Sequence, residues 1–174
     1  MLRKTNILFG ECYTLYRMKA VIQRVSEASV TIEGSIHGAI GTGFLILAGF
    51  SDEDDEAVVR GMADKIRRLR IFEDEQGKMN RSLEDVGGEV LSISQFTLYA
   101  DCHKGNRPSF SGAGSPAHAQ QMYQLFNQYL RETGLKVEEG IFAADMKVRL
   151  LNDGPVTIIL DSKEVLHGNS NLRK

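Results

Sequence analysis

The feature that most constrains the fold is an uninterrupted run of apolar residues, Phe44–Phe50. Without polar alternation, such a run is typical of a strand that is covered on both faces. The preceding segment, Ala20–Ile32, is rich in β-branched residues and partly alternating, which predicts a second strand. Between the two strands we expect a hairpin with bends, because glycines punctuate this stretch at Gly34, Gly38, Gly41 and Gly43.

Two amphipathic helices are predicted outside these strands. Ser51–Asp55 supplies a capping residue and acids at the start of the first helix. Ser115 and Pro116 start the second, since proline suits the first helical position, and Gly134 ends it. Apolar residues follow at helical spacing in both segments, at Val58, Met62, Ile66 and Leu69, and at Ala119, Met122, Phe126, Tyr129 and Leu130.

Three further strands are predicted, at Glu89–Tyr99, Met146–Leu151 and Val156–Leu160, with a turn at Gln76–Lys78. Strands outnumber helices, and the two do not alternate as in a parallel βαβ array. The pattern therefore predicts an α+β fold, with a mainly antiparallel or mixed sheet that curls into a barrel-like shape beside two main helices.

The chain has 174 residues, of which 42% are hydrophobic, enough for one globular domain. Met18 looks like a second start that opens directly into a strand, so we predict an N-terminal extension at 1–17, a domain at 18–161 and a polar C-terminal tail at 162–174. With only Cys12 and Cys102, a reducing, cytoplasmic location is the simpler expectation. No apolar run reaches the roughly 20 residues of a membrane span.

The charge balance restricts the kinds of partner. Lys and Arg number 21 and Asp and Glu 23, a net charge of −2. A nucleic acid would therefore need a local basic patch, for which Lys65–Arg70 and His103–Arg107 are the candidates.

Familiar catalytic motifs are missing from the sequence. None of the four histidines has metal-ligand spacing to Cys, Asp or Glu, and we predict neither a metal nor a cofactor. Cys102 and His103 are adjacent, and neighbouring side chains of an extended chain point apart, which argues against a thiol–imidazole pair. A nucleophile elbow, a phosphate-binding loop and a dinucleotide fingerprint are also missing from the sequence.

Two short segments remain as candidates. In Asn152–Thr157, Gly154 and Pro155 precede a strand, where they either form a plain tight turn or present two rigid carbonyl oxygens to a ligand. Ser94–Thr97 offers an amide, two hydroxyls and, at an irregular strand end, free main-chain N–H groups. In a regular strand, Gln95 and Thr97 would share one face, with Ser94 and Phe96 on the other.

Read together, the ordered segments resemble the D-aminoacyl-tRNA deacylase family over residues 18–161. The residues that carry the likeness are Met18–Val25, Leu69–Phe72, Gly77–Asn80, Asp85–Gly88, Ser94–Leu98, Arg107–Phe110, Ala144–Met146 and Asn152–Thr157. The loop containing Cys102, His103 and Asn106 departs from the family pattern.

The resemblance implies a homodimeric hydrolase that cleaves the ester between a D-amino acid and the terminal adenosine of tRNA, and also acts on glycyl-tRNA. It implies that catalysis occurs at Ser94, Gln95, Phe96 and Thr97. It also implies that a cis Gly154–Pro155 tip of one subunit enters the pocket of the other, where the substrate-binding residues are Gly154, Pro155, Asn152 and Met146.

For the chemistry we favour main-chain N–H groups near Phe96 and Thr97 as an oxyanion hole, with the ribose 2′-hydroxyl helping to activate water. The rival is direct attack by Thr97, although no base partners it. Two other functions stay open: a tRNA- or protein-binding module without catalysis, and an editing domain that acts on L-amino acids.

Overall fold

A computed structural model describes residues 17–167. The predicted extension therefore lies outside the described residues except for Arg17, as does the end of the predicted tail from residue 168 onwards. No helix in the described part of the chain is both long and apolar enough to span a membrane.

The described chain contains eight strands, three α-helices and one 3₁₀ helix. The strands are β1 (Lys19–Ile32), β2 (Ser35–Ile40), β3 (Gly43–Gly49), β4 (Phe72–Glu73), β5 (Met79–Arg81), β6 (Glu89–Ser94), β7 (Val137–Glu139) and β8 (Lys147–Asp161). The helices are α1 (Glu56–Arg67), the 3₁₀ helix (Phe96–Tyr99), α2 (Pro116–Glu132) and α3 (Ser162–His167).

Strand β1 organises the main sheet. It pairs antiparallel with β8 along most of its length, and on its other edge with β3 and then with β2. Strands β3, β6 and β7 continue the sheet in parallel, while β4 and β5 form a separate hairpin. The predicted α+β class, with a curled mixed sheet and two main flanking helices, is confirmed, and α3 is a short third helix.

The two faces of the sheet have separate cores. On one face, Ile22, Phe44 and Ile46 pack under the two long helices with Met62 and Phe126, all fully buried. On the other face, the sheet curls over a smaller core, which consists of Val25, Ala28, Val30, Ile40, Leu45, Leu91 and Ile93. Burial on both faces explains why β3 is apolar throughout.

The predicted capping and stop signals of the helices were correct, but α1 ends at Arg67, so Leu69, expected on its apolar stripe, lies beyond the helix. Asp55 caps α1, its carboxylate accepting from the Val58 N–H at 2.9 Å. Pro116 occupies the first position of α2, and Gly134 follows the helix with a φ of +88°. Ser162–His167, within the predicted tail, forms α3, which packs against α1 and places Leu166 near Gly61.

The strand predicted at Glu89–Tyr99 is wrong in its second half. β6 ends at Ser94, and Phe96–Tyr99 forms the 3₁₀ helix. The reason is the neighbouring strand: the Gln95 N–H still donates to the Ala48 carbonyl oxygen at 2.8 Å, but β3 ends at Gly49. Beyond that point the main chain finds partners within its own turn.

The two strands predicted at Met146–Leu151 and Val156–Leu160 are one continuous strand, β8. Thr157 lies opposite Gln23 and Asn152 lies opposite Val25. The four residues between them, Asp153–Val156, therefore lie opposite Arg24 alone and form a bulge, here called the tip, which contains Gly154 and Pro155. Continuous pairing with β1 on both sides holds the two halves of β8 in one strand.

Candidate functional site

A cavity of about 650 Å³ opens where β3 and β6 end. Three of the four predicted catalytic residues, Ser94, Gln95 and Phe96, line it together with the predicted substrate-binding residue Met146. The remaining wall comes from the end of β3, the start of α2 and the segment before β8, and includes Gly49, Phe50, Phe110, Gly114, Phe142, Ala143 and Asp145.

Gly49 allows the 3₁₀ segment to lie close against β3. A Cβ atom at this position would lie 2.9 Å from the Gln95 carbonyl oxygen and 3.0 Å from the Tyr99 ring. The Tyr99 hydroxyl shares its proton between two carbonyl oxygens, that of Arg17 at 2.5 Å and that of Gly49 at 3.2 Å, and burial raises the pKa of this phenol. Tyr99 thus remains a neutral donor that fixes the pocket wall.

The turn at Phe96 presents unpaired main-chain donors. The first N–H groups of a helix have no partner within it. In the described part of the chain, the N–H groups of Phe96 and Thr97 have no hydrogen-bond acceptor. Phe96 lines the cavity and Thr97 follows it just outside the lining. Free main-chain donors at a cavity wall can stabilise negative charge that develops on a carbonyl oxygen.

Thr97 is placed differently from its predicted neighbours. Its side chain is exposed and is not part of the cavity lining. Its hydroxyl oxygen accepts a hydrogen bond from the Gln95 amide at 2.6 Å, and the face alternation expected of a strand does not apply. Because an amide is a donor here and not a base, this contact does not activate the hydroxyl as a nucleophile.

Aromatic residues surround the pocket mouth. Phe96, 58% exposed, meets Phe110 edge to face with ring centroids 5.1 Å apart. Phe110 follows an exposed loop closed by the main-chain pair Asp101 and Ser109. Phe110 and Phe142, which the sequence reasoning did not single out as site residues, supply apolar surface to the cavity.

The tip is exposed and lies outside the cavity of its own chain. Gly154 and Pro155 are both exposed and neither lines the cavity. The peptide bond between them is cis, the isomer that the resemblance implies. Asn152 does not line the cavity either; its amide donates to the carbonyl oxygens of Arg24 at 3.0 Å and Val156 at 2.9 Å.

Arg24 holds the tip from beneath and is the residue that the sequence reasoning missed. It is 5% exposed; its guanidinium donates to the carbonyl oxygens of Asp153 at 3.0 Å and Ile71 at 2.7 Å. Its nearest carboxylates, on Asp153 and Glu73, lie 3.5 and 3.9 Å away. The sequence did contain a sign of this role, because an arginine is unusual within a strand rich in β-branched residues.

Ionisable groups are sparse in the cavity. Asp145 is the only acidic residue that lines the cavity, and its carboxylate forms an ion pair with Lys147 at 2.9 Å. The described residues contain no cluster of three or more His, Cys, Asp or Glu side chains suited to a metal. The cavity therefore offers main-chain donors, the Ser94 hydroxyl and an apolar wall, while its one carboxylate is paired with Lys147 and no histidine lines it.

Comparison with known proteins gives a consistent result. A family model described as D-Tyr-tRNA(Tyr) deacylase matches residues 21–161. The D-aminoacyl-tRNA deacylase of Thermus aquaticus is 58% identical over 147 residues, covering 84% of this chain and 97% of the relative. The protein of the same name from Halothermothrix orenii is 56% identical over 147 residues, covering 84% and 99%.

Two solved structures have a similar fold. One is described as "c-Myc DNA Unwinding Element Binding Protein", with a TM-score of 0.76 and 45% identity, over 82% of this chain and 97% of that one. The other, described as a probable eukaryotic D-amino acid tRNA deacylase, has a TM-score of 0.74 over 83% and 99% of the two chains. At 16% identity, the second supports the fold alone.

Proposed function

The chain belongs to the D-Tyr-tRNA(Tyr) deacylase family, and on this premise we propose that it hydrolyses the ester bond of D-aminoacyl-tRNA, releasing the D-amino acid and free tRNA. The observation that carries the proposal is the family match over residues 21–161, which contain both the cavity and the tip. The enzyme is thus a hydrolase of carboxylic esters, and its task is to remove amino acids of the wrong hand.

The primary test is to incubate the protein with D-Tyr-tRNA and L-Tyr-tRNA and to follow release of each amino acid. We expect rapid release of D-tyrosine and slow release of L-tyrosine. A non-catalytic tRNA-binding module is the second candidate, since no familiar nucleophile–base pair lines the cavity. Such a module would bind both substrates and release neither amino acid. Release of L-tyrosine alone would indicate an editing domain for L-amino acids.

We place the complete site at a homodimer interface. One row of side chains on one face of the sheet runs from β8 to the pocket wall: Ile159, Val21, Leu47 and Ile93 are successive cross-strand partners. Ile159 is 75% exposed, whereas Ile93 is buried and lines the cavity. A second copy of the chain covering this row would bury apolar surface beside the pocket.

Such a dimer gives the tip its role. Gly154 and Pro155 of the tip are exposed, the tip does not line its own cavity, and a buried arginine holds it. All of this suits a rigid element that enters the partner subunit's pocket. There the carbonyl oxygens of Gly154 and Pro155 would accept hydrogen bonds from the substrate ammonium, and the tip would form the wall nearest the α-carbon.

The enzyme then selects D-amino acids because the tip excludes the side chain of an L-amino acid. With the ammonium and the ester both fixed, one direction at the α-carbon remains open, and a D side chain takes it toward solvent. An L side chain would meet the main-chain wall, and a steric clash discriminates more than the roughly 1–3 kcal/mol that a pocket gains from one methylene group. Glycine has no side chain to exclude, so glycyl-tRNA is also expected to be hydrolysed.

The chemical step uses the substrate and the main chain. Water attacks the ester carbonyl carbon, the N–H groups of Phe96 and Thr97 stabilise the oxyanion, and the bond to the ribose oxygen breaks. The neighbouring 2′-hydroxyl takes the proton from water as it passes its own proton to the leaving 3′ oxygen, so no further base or acid is needed. Substrate assistance accounts for a cavity without a base of its own.

Binding of the tRNA beyond its terminal nucleotide requires basic side chains that pair with the phosphates. Lys104 and Arg107 lie on the exposed loop that leads into Phe110 at the pocket mouth, and we propose that they contact the acceptor end. The other basic segment, Lys65–Arg70, is less available to bind RNA, because Arg67 forms ion pairs at 2.7 Å with both Asp64 and Glu84.

A further inference from the structure

We propose that the tRNA strand preceding the terminal adenosine leaves the pocket across the outer face of β1, β2 and β8, over a surface formed by Ser29, Thr31, Ile36, Lys147 and Arg149. We call this surface the strand patch. The inference rests on the proposed function, because it assumes an aminoacylated adenosine in the cavity.

Strand pairing places the patch residues on one face. Lys147 lies opposite Thr31 and Arg149 opposite Ser29, and Thr31 in turn lies opposite Ile36 on β2. Cross-strand partners project to the same side of a sheet. Together with Val148, these residues line a shallow cleft of about 400 Å³ that combines two cations, two hydroxyls and two apolar residues.

The patch adjoins the pocket. Asp145 and Met146 line the cavity, Lys147 and Arg149 line the cleft, and Val148 lines both. From residue 146 to residue 149 an extended chain advances about 10 Å. Alternate side chains of a strand point to opposite faces, so Met146 and Val148 pack on the inner side of β8 and the patch lies on its outer side. RNA that leaves the cavity therefore reaches the patch by passing around the edge of β8 that pairs with no other strand in the described residues.

The charges suit a phosphate backbone. Among residues 17–167, none of the ion pairs involves Arg149. The Lys147–Asp145 pair is exposed on both sides, at 76% and 85%, and such surface pairs contribute little stability, so a phosphate can replace the carboxylate as partner. Because the whole chain has a net charge of −2, attraction to RNA requires a local surface of this kind.

The neighbouring side chains complete the contact. The hydroxyls of Ser29 and Thr31 are suitable donors to phosphate oxygens. Ile36 is 70% exposed, so it offers apolar surface to a ribose or base edge without any rearrangement of the sheet.

The test separates this exit route from the loop with Lys104 and Arg107. The full-length protein is prepared as Lys147→Ala with Arg149→Ala, as the charge-preserving Lys147→Arg with Arg149→Lys, and as Lys104→Ala with Arg107→Ala. Three quantities are measured: KM for D-Tyr-tRNA, the salt dependence of the tRNA dissociation constant, and hydrolysis of the RNA-free ester D-tyrosyl-adenosine.

For the alanine pair in the strand patch we expect KM for D-Tyr-tRNA to rise roughly tenfold. The slope of log K against log salt should fall by about 1.4, since each contact to a single-stranded phosphate contributes about 0.7. Hydrolysis of D-tyrosyl-adenosine should be unchanged, and the charge-preserving pair should retain the original KM and slope.

An unchanged KM and slope for the alanine pair, or an equal loss on the RNA-free ester, would overturn the inference, as would an effect confined to the loop variant. If the unmodified protein releases no D-tyrosine from tRNA, the proposed function fails instead. In that case the salt dependence of the tRNA dissociation constant, compared between the original protein and the alanine pair, still decides whether the strand patch contacts RNA.

Discussion

The guanidinium of Arg24 donates from Nε to the carbonyl oxygen of Asp153 at 3.0 Å, directly beneath the tip. This bond joins β1 to the one stretch of β8 that has left the regular ladder. A second bond to the Ile71 carbonyl oxygen, at 2.7 Å, keeps the arginine from following the tip if the tip moves. The orientation of the exposed carbonyl groups therefore depends on a buried cation.

Arg24→Met should loosen the tip. Two carbonyl oxygens lose their donor, so we expect the free energy of unfolding to fall by about 2–3 kcal/mol. Misplacement of the tip should lower kcat/KM for D-Tyr-tRNA by roughly 10² and reduce the preference over L-Tyr-tRNA. Val59→Ala, a buried change in α1, is the control: it should lower stability while preserving the D/L ratio. An unaltered ratio in Arg24→Met would mean that the arginine serves stability alone.

Mixing two inactive variants tests whether the tip acts between subunits. Gly154→Ala places a methyl group 2.7 Å from Val156 and 3.0 Å from the Arg24 guanidinium, at a φ of +133° that favours glycine. Phe96→Pro removes a main-chain donor at a position where proline is tolerated. After denaturation and joint refolding, hybrids should contain one intact site and restore about a quarter of the original activity. If pocket and tip belonged to the same subunit, no activity would return.

Thr97→Ala should remain active. The Thr97 hydroxyl is bound to the Gln95 amide and lies outside the cavity lining, so we expect kcat to stay within about threefold of the original. Loss of a true nucleophile would reduce kcat by a factor on the order of 10⁴ or more. Single-turnover hydrolysis of D-Tyr-tRNA distinguishes the two outcomes, with Thr97→Ser as the conservative control.

The ribose should take part in the reaction. With D-tyrosine attached to the 3′ oxygen of a tRNA that ends in 2′-deoxyadenosine, we expect the rate to fall by roughly 10²–10⁴, the usual range for general acid–base assistance. The dissociation constant should change little, because the pocket contacts are retained. Normal turnover of the deoxy substrate would rule out assistance by the 2′-hydroxyl.

The carboxylate of Asp54 should make stability depend on pH. It is buried and accepts hydrogen bonds from the main-chain N–H groups of Ser51, Arg17 and Met18 at 2.7–2.9 Å. Burial raises its pKa above the ordinary value of 3.8, against the opposing effect of these bonds. The folded chain thus binds this proton more tightly than the unfolded chain, and the group's contribution to folding becomes more favourable as pH falls.

Asp54→Asn should lower the free energy of unfolding by about 1–3 kcal/mol at pH 7, since an amide cannot accept all of these donors. The stability difference between the original protein and the variant should widen as pH falls through the raised pKa and level off below 3.8. Denaturant-induced unfolding of both proteins, followed from pH 7 to pH 4, measures this stability difference. A difference that narrows over this range would contradict the sign of the shift.

Elements governed by local sequence were predictable. Proline and glycine marked the ends of α2, an aspartate capped α1, and the apolar run at Phe44–Phe50 gave a buried central strand. Each of these signals acts within a few residues of the structure that it determines.

Features that depend on distant partners were not predictable. The 3₁₀ turn at Phe96 arises because β3 ends at Gly49, and β8 is a single strand because β1 pairs with both of its halves. Arg24 gains its role from Asp153 and Ile71, which lie 129 and 47 positions away in sequence. No local pattern encodes such relations. The free N–H groups near Phe96 and Thr97 were expected from the sequence, but the 3₁₀ turn that presents them and the support of the tip by Arg24 appeared only in the structure.

The bulge opposite Arg24 also means that the length of the tip does not determine the register between β1 and β8. Pairing is fixed independently on its two sides, by Gln23 with Thr157 and by Val25 with Asn152. A change in the number of residues between these pairs therefore need not shift the flanking hydrogen-bond ladders, provided that the bonds of Asp153 to Arg24 and of Val156 to Asn152 are kept. For protein engineering, this makes the reach of the tip an adjustable parameter that can be varied without redesigning the scaffold.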